Sequence, residues 1–106
     1  MKKIAVIGDS ILDKYSFYIS NRMSPEAPVP VAEKIDSNYS IGGAGLVAKR
    51  LTEDGNKVDL YSQIGTNSYG KMFKKLSGKT NIIDFAEIDF ELTIKDRLIL
   101  NNEYFL

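Results

Sequence analysis

Runs of apolar residues separated by glycine-rich breaks divide the first half of the chain into predicted strands and one helix. Residues 4–7 are all apolar and lead into Gly8, a pattern typical of a parallel strand buried on both faces. Apolar residues then recur at helical spacing over residues 42–54, and Gly55 occupies the position expected just after a helix. Residues 58–61 predict a second core strand.

The second half of the chain predicts one more helix and further strands. Residues 65–68 lead into a helix that ends near residue 76 and is closed by Gly78. Polar and apolar residues alternate from Glu87 to Lys95, with Ile88, Phe90, Leu92 and Ile94 on one face, which predicts a half-buried strand. Residues 97–106 also read as strand. The chain then stops without a closing element, so we expect it to be part of a longer protein.

All three prolines lie within residues 25–30, where the β-rich segment at residues 13–21 is followed by the one at residues 29–35. Proline has a fixed φ and no amide donor. The sequence therefore predicts that the segment Arg22–Val31 is a stiff extended crossing or a sheet edge. The small residues Gly42–Gly45 follow at a helix start, which suggests a rigid flap over a ligand site built from backbone. The element order predicts an α/β fold, mainly a parallel sheet with flanking helices, plus a small β-flap.

Composition narrows the function without identifying it. The 106 residues form one domain at most, and the net charge of zero gives no electrostatic case for nucleic acid or an anionic membrane. No apolar run spans a bilayer and no signal peptide is recognised, so we expect a cytoplasmic protein. Histidine and cysteine are absent. Their absence excludes a Ser–His or Cys–His dyad and most zinc sites within these residues.

The residues after the first strand are candidates for chemistry, since open α/β sheets bind ligands at that end. Ser10 resembles the nucleophile of GDSL hydrolases, but such a serine needs a histidine base. Alternatively, Asp9 or Ser10 only caps a turn. Asp13 is the better functional candidate, because a carboxylate can accept hydrogen bonds from adjacent sugar hydroxyls.

Two other sets of residues have both a structural and a functional interpretation. In the structural interpretation, Gly42 and Gly43 merely permit close packing. In the functional interpretation, their amides bind a hydroxyl-rich or anionic ligand. The glycine pattern at residues 43–48 also fits a dinucleotide fingerprint, although that motif should directly follow the first strand. Lys95 and Arg97 could form an ordinary polar strand face or clamp a phosphate.

Together these segments resemble the ribokinase-like (PfkB) carbohydrate kinases, and among them the kinases of heptose 7-phosphate. The flap is the most specific match. The resemblance covers nearly the whole chain and is carried by residues 8–15, Arg22–Val31, Gly42–Ala44, residues 65–70 and Thr93–Arg97 with Asn102.

The resemblance implies an N-terminal, substrate-side part of a ribokinase-like kinase domain, with flap strands at about 14–36 and 91–106. It implies that Asp13, Gly42 and Gly43 bind sugar hydroxyls, and that Lys95 or Arg97 binds the substrate's phosphate. The lid residues would be Arg22, Ser24, Pro25 and Glu26.

The same resemblance implies ATP and Mg²⁺ as cofactors of the complete enzyme, neither of them bound by this chain. It also implies a homodimer formed through the flap. The catalytic base is expected beyond Leu106, so we expect the chain to be inactive alone.

Two residues depart from the family pattern. Leu46 stands where the family usually has a sugar-binding asparagine, and Asn67 replaces a common aspartate, which matters little because both residues cap helices. Leu46 keeps a second hypothesis open: a non-catalytic sugar-binding or assembly module derived from such a kinase.

Overall fold

The computed structural model describes residues 2–104, which contain seven strands and two helices. These elements are β1 (Lys3–Ile7), β2 (Ser10–Met23), β3 (Pro30–Gly43), α1 (Ala44–Glu53), β4 (Lys57–Ser62), α2 (Ser68–Leu76), β5 (Asn81–Asp84), β6 (Thr93–Leu100) and β7 (Glu103–Tyr104). The described residues form two compact units. The core unit comprises the described residues of Met1–Leu12 and Ser40–Ile94. The flap unit comprises the described residues of Asp13–Tyr39 and Lys95–Leu106.

The core unit is built on a parallel sheet with the strand order β1-β4-β5. Ile7 lies opposite Tyr61, which lies opposite Ile83, so the three residues form one row across the sheet. Right-handed crossovers that step in one direction place their helices on one face of a sheet. The helices do share a layer, since the ring of Phe73 in α2 lies against Gly45 in α1. The predicted α/β fold is confirmed.

Both helices lie close to where the sequence predicts them, because capping residues mark the start of α2 and the ends of both helices. Asn67 precedes α2, and its side-chain oxygen accepts a hydrogen bond from the Gly70 amide at 2.8 Å. Gly55 and Gly78 follow the two helices with φ of 93° and 62°. Glycine adopts this left-handed conformation without steric penalty.

Buried side chains of β4 and both helices form the core of this unit. Val58 and Leu60 are buried on the helix-covered face of the sheet. Ala48 of α1 and Phe73 of α2 are fully buried. A β-carbon at residue 45 would overlap the Phe73 ring, so Gly45 permits the close approach of α1 and α2.

The prediction that β1 is buried on both faces is wrong, although the strand is parallel as expected. Ile4 and Val6 are only half-buried, and Ile7 is 77% exposed. The physical reason is that both helices cover the same face of the sheet. A continuous apolar run shows that both faces are suited to burial, but other layers decide whether both are covered.

The flap unit contains most of a four-stranded sheet with the order β3-β2-β6-β7. As predicted, the proline-rich segment joins two neighbouring strands: residues 24–29 connect β2 to β3. The Ser24 amide donates to the Val29 carbonyl at 2.7 Å and closes this connection. Pro30 begins β3.

The strand predicted at residues 87–95 is wrong for most of its length. Residues 85–92 form no strand and contain a turn at residues 88–89, where Ile88 is 96% exposed; β6 begins only at Thr93. The alternation there is a coincidence of a loop sequence. The sequence interpretation also missed β5, which directly precedes this loop.

The continuous strand predicted at residues 97–106 is interrupted by a hairpin. Asn101 and Asn102 have φ of 50° and 68°, and Leu100 pairs with Glu103 across them in antiparallel register. Asparagine tolerates this left-handed backbone, which two-residue hairpin turns require. Residues 105 and 106 lie outside the described range. No helix between residues 2 and 104 combines the length and apolarity needed to cross a membrane.

Candidate functional site

The carboxyl ends of the parallel strands form a candidate binding edge in the core unit. Gly8 follows β1, Gln63 follows β4, and Asp84 ends β5. Ligands of open α/β sheets bind at this edge. A cleft of about 320 Å³ lies here, which we call the edge cleft; it is lined by Asp9, Ser10, Ile11, Gln63, Phe90 and Thr93.

Ser10 is buried at the edge cleft and has a structural hydrogen-bonding role. Its Oγ lies 2.7 Å from the Oγ of Ser62, and the Ser62 hydroxyl donates to the Gly8 carbonyl at 2.7 Å. A hydroxyl has a single hydrogen, so Ser10 donates to Ser62. Ser10 therefore bridges β2 and β4. Ser10 begins a strand, so the turn-cap alternative is wrong for Ser10. Its hydroxyl donates to another serine instead of to a base, which contradicts the nucleophile alternative.

The glycine pair before α1 allows two backbone segments to meet. Gly43 has a φ of 61°, and a β-carbon there would overlap the carbonyl oxygen of Asp9. That carbonyl accepts a hydrogen bond from the Ala44 amide at 2.8 Å. The first amide of the helix is therefore already paired within the protein. This geometry requires glycine at residue 43 whether or not a ligand binds there.

Asp84 holds the loop after β4 in place through both of its carboxylate oxygens. Oδ1 accepts hydrogen bonds from the amides of Ile64 and Ala86, each at 3.0 Å. Oδ2 accepts one from the Gly65 amide at 2.9 Å and lies 2.9 Å from Nζ of Lys74. Because Gln63 directly precedes these amides, the network positions one wall of the edge cleft.

This network lowers the pKa of Asp84 from the ordinary value of 3.8 to about 2. Partial burial acts in the opposite direction and raises the pKa. The hydrogen bonds from the Ile64 and Ala86 amides, the Lys74 ammonium and the Gly65 amide outweigh it, because all of them favour the charged carboxylate.

In the flap unit, Asp13, Tyr15 and Arg97 form a compact polar group, the flap cluster. Nη1 of Arg97 lies 3.0 Å from Oδ1 of Asp13 and 3.2 Å from the Tyr15 hydroxyl. The guanidinium also lies over the Tyr15 ring, 5.3 Å from its centroid. The side chains of Arg97 and Asp13 are 29% and 18% exposed. The ion pair is thus partly shielded, and the guanidinium is held in one orientation.

The strands that carry the flap cluster are tied together by a second contact. The buried Ser16 donates a hydrogen bond to the Asp96 carboxylate at 2.9 Å, linking β2 to β6. The Lys95 side chain is exposed and makes no hydrogen bond or ion pair with residues 2–104. The structure therefore brings Asp13 and Arg97 together and leaves Lys95 in solvent.

Of the predicted lid residues, Arg22 lies near the end of β2, and Ser24, Pro25 and Glu26 lie in the connection to β3. Ser24 Oγ accepts a hydrogen bond from the Glu26 amide at 3.2 Å, which stabilises the turn around Pro25. Arg22 is 3.5 Å from Glu33, and both side chains are mostly exposed. The role of these residues as a lid stays a prediction.

Sequence reasoning missed Asp84 and Tyr15. Asp84 directly follows Ile82 and Ile83 and so stands at a strand's carboxyl end. That position was the available signal. No local pattern indicates the contact of Tyr15 with Arg97, which lies 82 residues away in the chain.

In sequence, the chain is 42% identical over 107 residues to the bifunctional protein HldE of Helicobacter pylori strain J99. It is 36% identical over 104 residues to HldE of Campylobacter concisus. The matches cover 97% and 95% of this chain but only 23% and 22% of those relatives, so the chain spans less than a quarter of their length. A scan against protein-family models found no match.

In structure, the chain is similar to a carbohydrate kinase from Agrobacterium tumefaciens, with a TM-score of 0.76 and 19% identity. It is also similar to phosphofructokinase-2 from Escherichia coli, with a TM-score of 0.60 and 16% identity. The first match covers 100% of this chain and the second 99%, and each covers 34% of the other protein. At these identities the likeness establishes the fold.

Proposed function

Since the chain has the fold of the ribokinase-like carbohydrate kinases and a sequence similar to bifunctional HldE proteins, we propose that it is the N-terminal, substrate-side part of a sugar kinase. The complete enzyme would transfer the γ-phosphoryl group of ATP to a hydroxyl of a sugar phosphate. The substrate implied by the resemblance is heptose 7-phosphate, on the route to ADP-heptose and lipopolysaccharide.

The flap cluster is the observation that carries this proposal. Arg97 is oriented by Asp13 and Tyr15 through contacts that use only one of its terminal nitrogens. A guanidinium has five donors, so the group retains donors for a phosphate. Lys95, two residues away, would add a second positive charge. Asp13 would accept hydrogen bonds from sugar hydroxyls through the oxygen that Arg97 does not contact.

The remaining roles follow from the family resemblance. Gly42 and Gly43 would bind hydroxyls through their amides. The lid residues would exclude water, which otherwise competes with the sugar for the phosphoryl group. No group of three or more acidic side chains in residues 2–104 is placed to hold a metal ion. The family resemblance implies that ATP and Mg²⁺ serve the complete enzyme.

A calorimetric titration of the chain with heptose 7-phosphate, followed by one with Mg-ATP, tests the proposal. We expect saturable binding of the sugar phosphate and none of ATP. Arg97→Ala should abolish the preference for the phosphorylated sugar, whereas Lys34→Ala, which removes an exposed cation from the same unit, should not. Sugar-dependent ADP release by the pure chain would contradict the expected inactivity.

A groove on the flap unit favours the expected homodimer of the chain. The alternative hypothesis, a non-catalytic assembly module, would also act by pairing two copies. The groove measures about 310 Å³, and Phe17, Ile19, Ile35 and Ile99 contribute apolar side chains to it. Ile35 is 59% exposed. Sedimentation analysis should show a dimer that Ile35→Lys dissociates. A monomeric wild-type chain at high concentration would contradict this pairing.

A further inference from the structure

The edge cleft presents polar side chains that are not used within the protein. Apart from Ser10, its polar lining consists of Asp9, Gln63 and Thr93. All three are exposed, and their side chains have no hydrogen-bond or ion-pair partner among residues 2–104. A carboxylate, an amide and a hydroxyl together offer both donors and acceptors, so they suit a ligand that carries several hydroxyls.

The rest of the lining is apolar. Phe90 and Ile11 are half-buried, and of the six lining residues only Asp9 is charged. A pyranose has an apolar C–H face and a rim of hydroxyls, which match an aromatic ring beside a few polar groups. The Asp9 carboxylate repels phosphate. The cleft therefore fits the uncharged ring of a sugar phosphate better than its phosphate group.

The backbone on both sides of Gln63 is fixed. Before it, the Ser62 carbonyl accepts a hydrogen bond from the Phe85 amide at 3.3 Å. After it, the amides of the next two residues donate to the carboxylate of Asp84. The side-chain amide of Gln63 therefore extends from a rigid turn, and little backbone entropy is lost when it binds a ligand.

Phe90 is held against the same turn. Gly65 has a φ of 86°, and a β-carbon there would lie 2.7 Å from the Phe90 carbonyl oxygen and 3.5 Å from its ring. The Phe90 amide donates to the Glu87 carbonyl at 3.0 Å, which closes the preceding turn. Glycine at residue 65 thus lets the loop pack directly against the turn that carries Gln63.

We propose that Gln63 determines which sugar the edge cleft accepts. Its side-chain amide hydrogen-bonds hydroxyls of the sugar ring, while Phe90 contacts the apolar face of that ring. That the ligand is a sugar rests on the proposed function. Because an amide both donates and accepts, its position discriminates between sugars that differ in the orientation of one hydroxyl.

NMR titration of the chain provides the test. Gln63 is the only glutamine in the sequence, so selective isotopic labelling of glutamine gives one assignable pair of side-chain amide signals. The ligands would be D-glucose, its epimers D-mannose and D-galactose, and heptose 7-phosphate. We expect saturable shifts of the Gln63 signals and unequal affinities for the three neutral sugars.

Two leucine variants separate the role of Gln63 from a general effect. Gln63→Leu removes the amide at similar volume, and it should weaken the tightest neutral sugar by about tenfold and bring the three affinities closer together. Asn81→Leu, the matched control, removes an exposed amide at the amino end of β5 and should change neither. Circular dichroism should show that Gln63→Leu remains folded, because that side chain is exposed.

The proposal is overturned if no sugar shifts the Gln63 signals, or if the two leucine variants have equal effects. The proposed function has a separate readout in Arg97. If Arg97→Ala abolishes the preference for the phosphorylated sugar and Gln63→Leu has no effect, the proposed function survives and the role of Gln63 is wrong. If Gln63→Leu weakens every sugar and Arg97→Ala changes nothing, the role of Gln63 stands and the phosphate site is wrong.

Discussion

Nη1 of Arg97 lies 3.0 Å from the Asp13 carboxylate, joining residues 84 positions apart in the chain. Both side chains are largely shielded from water. The surface pair Arg22–Glu33 in the same unit is longer, at 3.5 Å, and about 60% exposed at both partners (59% and 61%). The two ion pairs therefore allow a direct comparison of shielded and exposed charge within one flap.

We expect a double-mutant cycle with Asp13→Ala and Arg97→Ala to give a coupling free energy of about 1–2 kcal/mol, because the hydrogen bond is charge-assisted and partly buried. The same cycle for Arg22 and Glu33 should give less than about 0.5 kcal/mol, as water screens that pair. Urea denaturation measures both. Equal coupling in the two cycles would show that the flap cluster has no special rigidity.

Asp84→Asn should lower the free energy of unfolding at pH 7 by about 2 kcal/mol, since the pKa falls from 3.8 to about 2 on folding. A lowered folded-state pKa stabilises the protein above the unfolded-state value. This contribution should therefore disappear between about pH 4 and pH 2. Denaturation midpoints across that range provide the measurement, with Asp89→Asn in the exposed turn as control. If the loss of unfolding free energy in Asp84→Asn stays constant down to pH 2, the stabilisation does not depend on ionisation of Asp84.

Gly43→Ala should destabilise the chain more than Gly78→Ala. Both glycines have positive φ, 61° and 62°, but Gly43 combines it with a ψ of −142°, a backbone region that essentially only glycine adopts. Alanine at residue 43 therefore carries a backbone penalty of about 1–3 kcal/mol. Only at residue 43 would the new β-carbon meet the Asp9 carbonyl; nothing lies within 4 Å at residue 78. We expect an additional loss of about 1–3 kcal/mol at residue 43. Similar thermal midpoints for both variants would show that the strand end can move aside.

Asn101→Ala should cost about 1–2 kcal/mol, whereas Asn102→Gly should cost nothing. Both residues have positive φ, but only the Asn101 side chain pairs with β2, accepting from the Ser20 amide at 3.0 Å. Glycine at residue 102 suits the turn. Chemical denaturation of the two variants checks this order, and the reverse order would mean that the hairpin backbone, not the side-chain contact, dominates.

Short-range patterns predicted much of the fold correctly. Asn67, Gly55 and Gly78 mark helix ends because capping depends on groups a few residues apart. The proline-rich crossing was predicted for the same reason, since proline constrains its own backbone and that of the residue before it.

The errors arose where a local pattern had two physical origins. Alternation at residues 87–92 resembled a strand, yet no neighbouring strand is present to pair with it among the described residues. The Asn101–Asn102 turn was read as strand, because asparagine only permits a left-handed backbone and does not require it.

Backbone preferences, helix ends and the α/β class were thus encoded in neighbouring residues, whose interactions act over one or two turns of chain. The contacts of Arg97 with Asp13 and Tyr15, the four hydrogen bonds to Asp84 and the exposure of Ile7 were not. They depend on which strands become neighbours and which sheet face receives the helices. Strand order and helix placement bring together residues that are far apart in the chain, and no periodic pattern of neighbouring residues indicates such contacts.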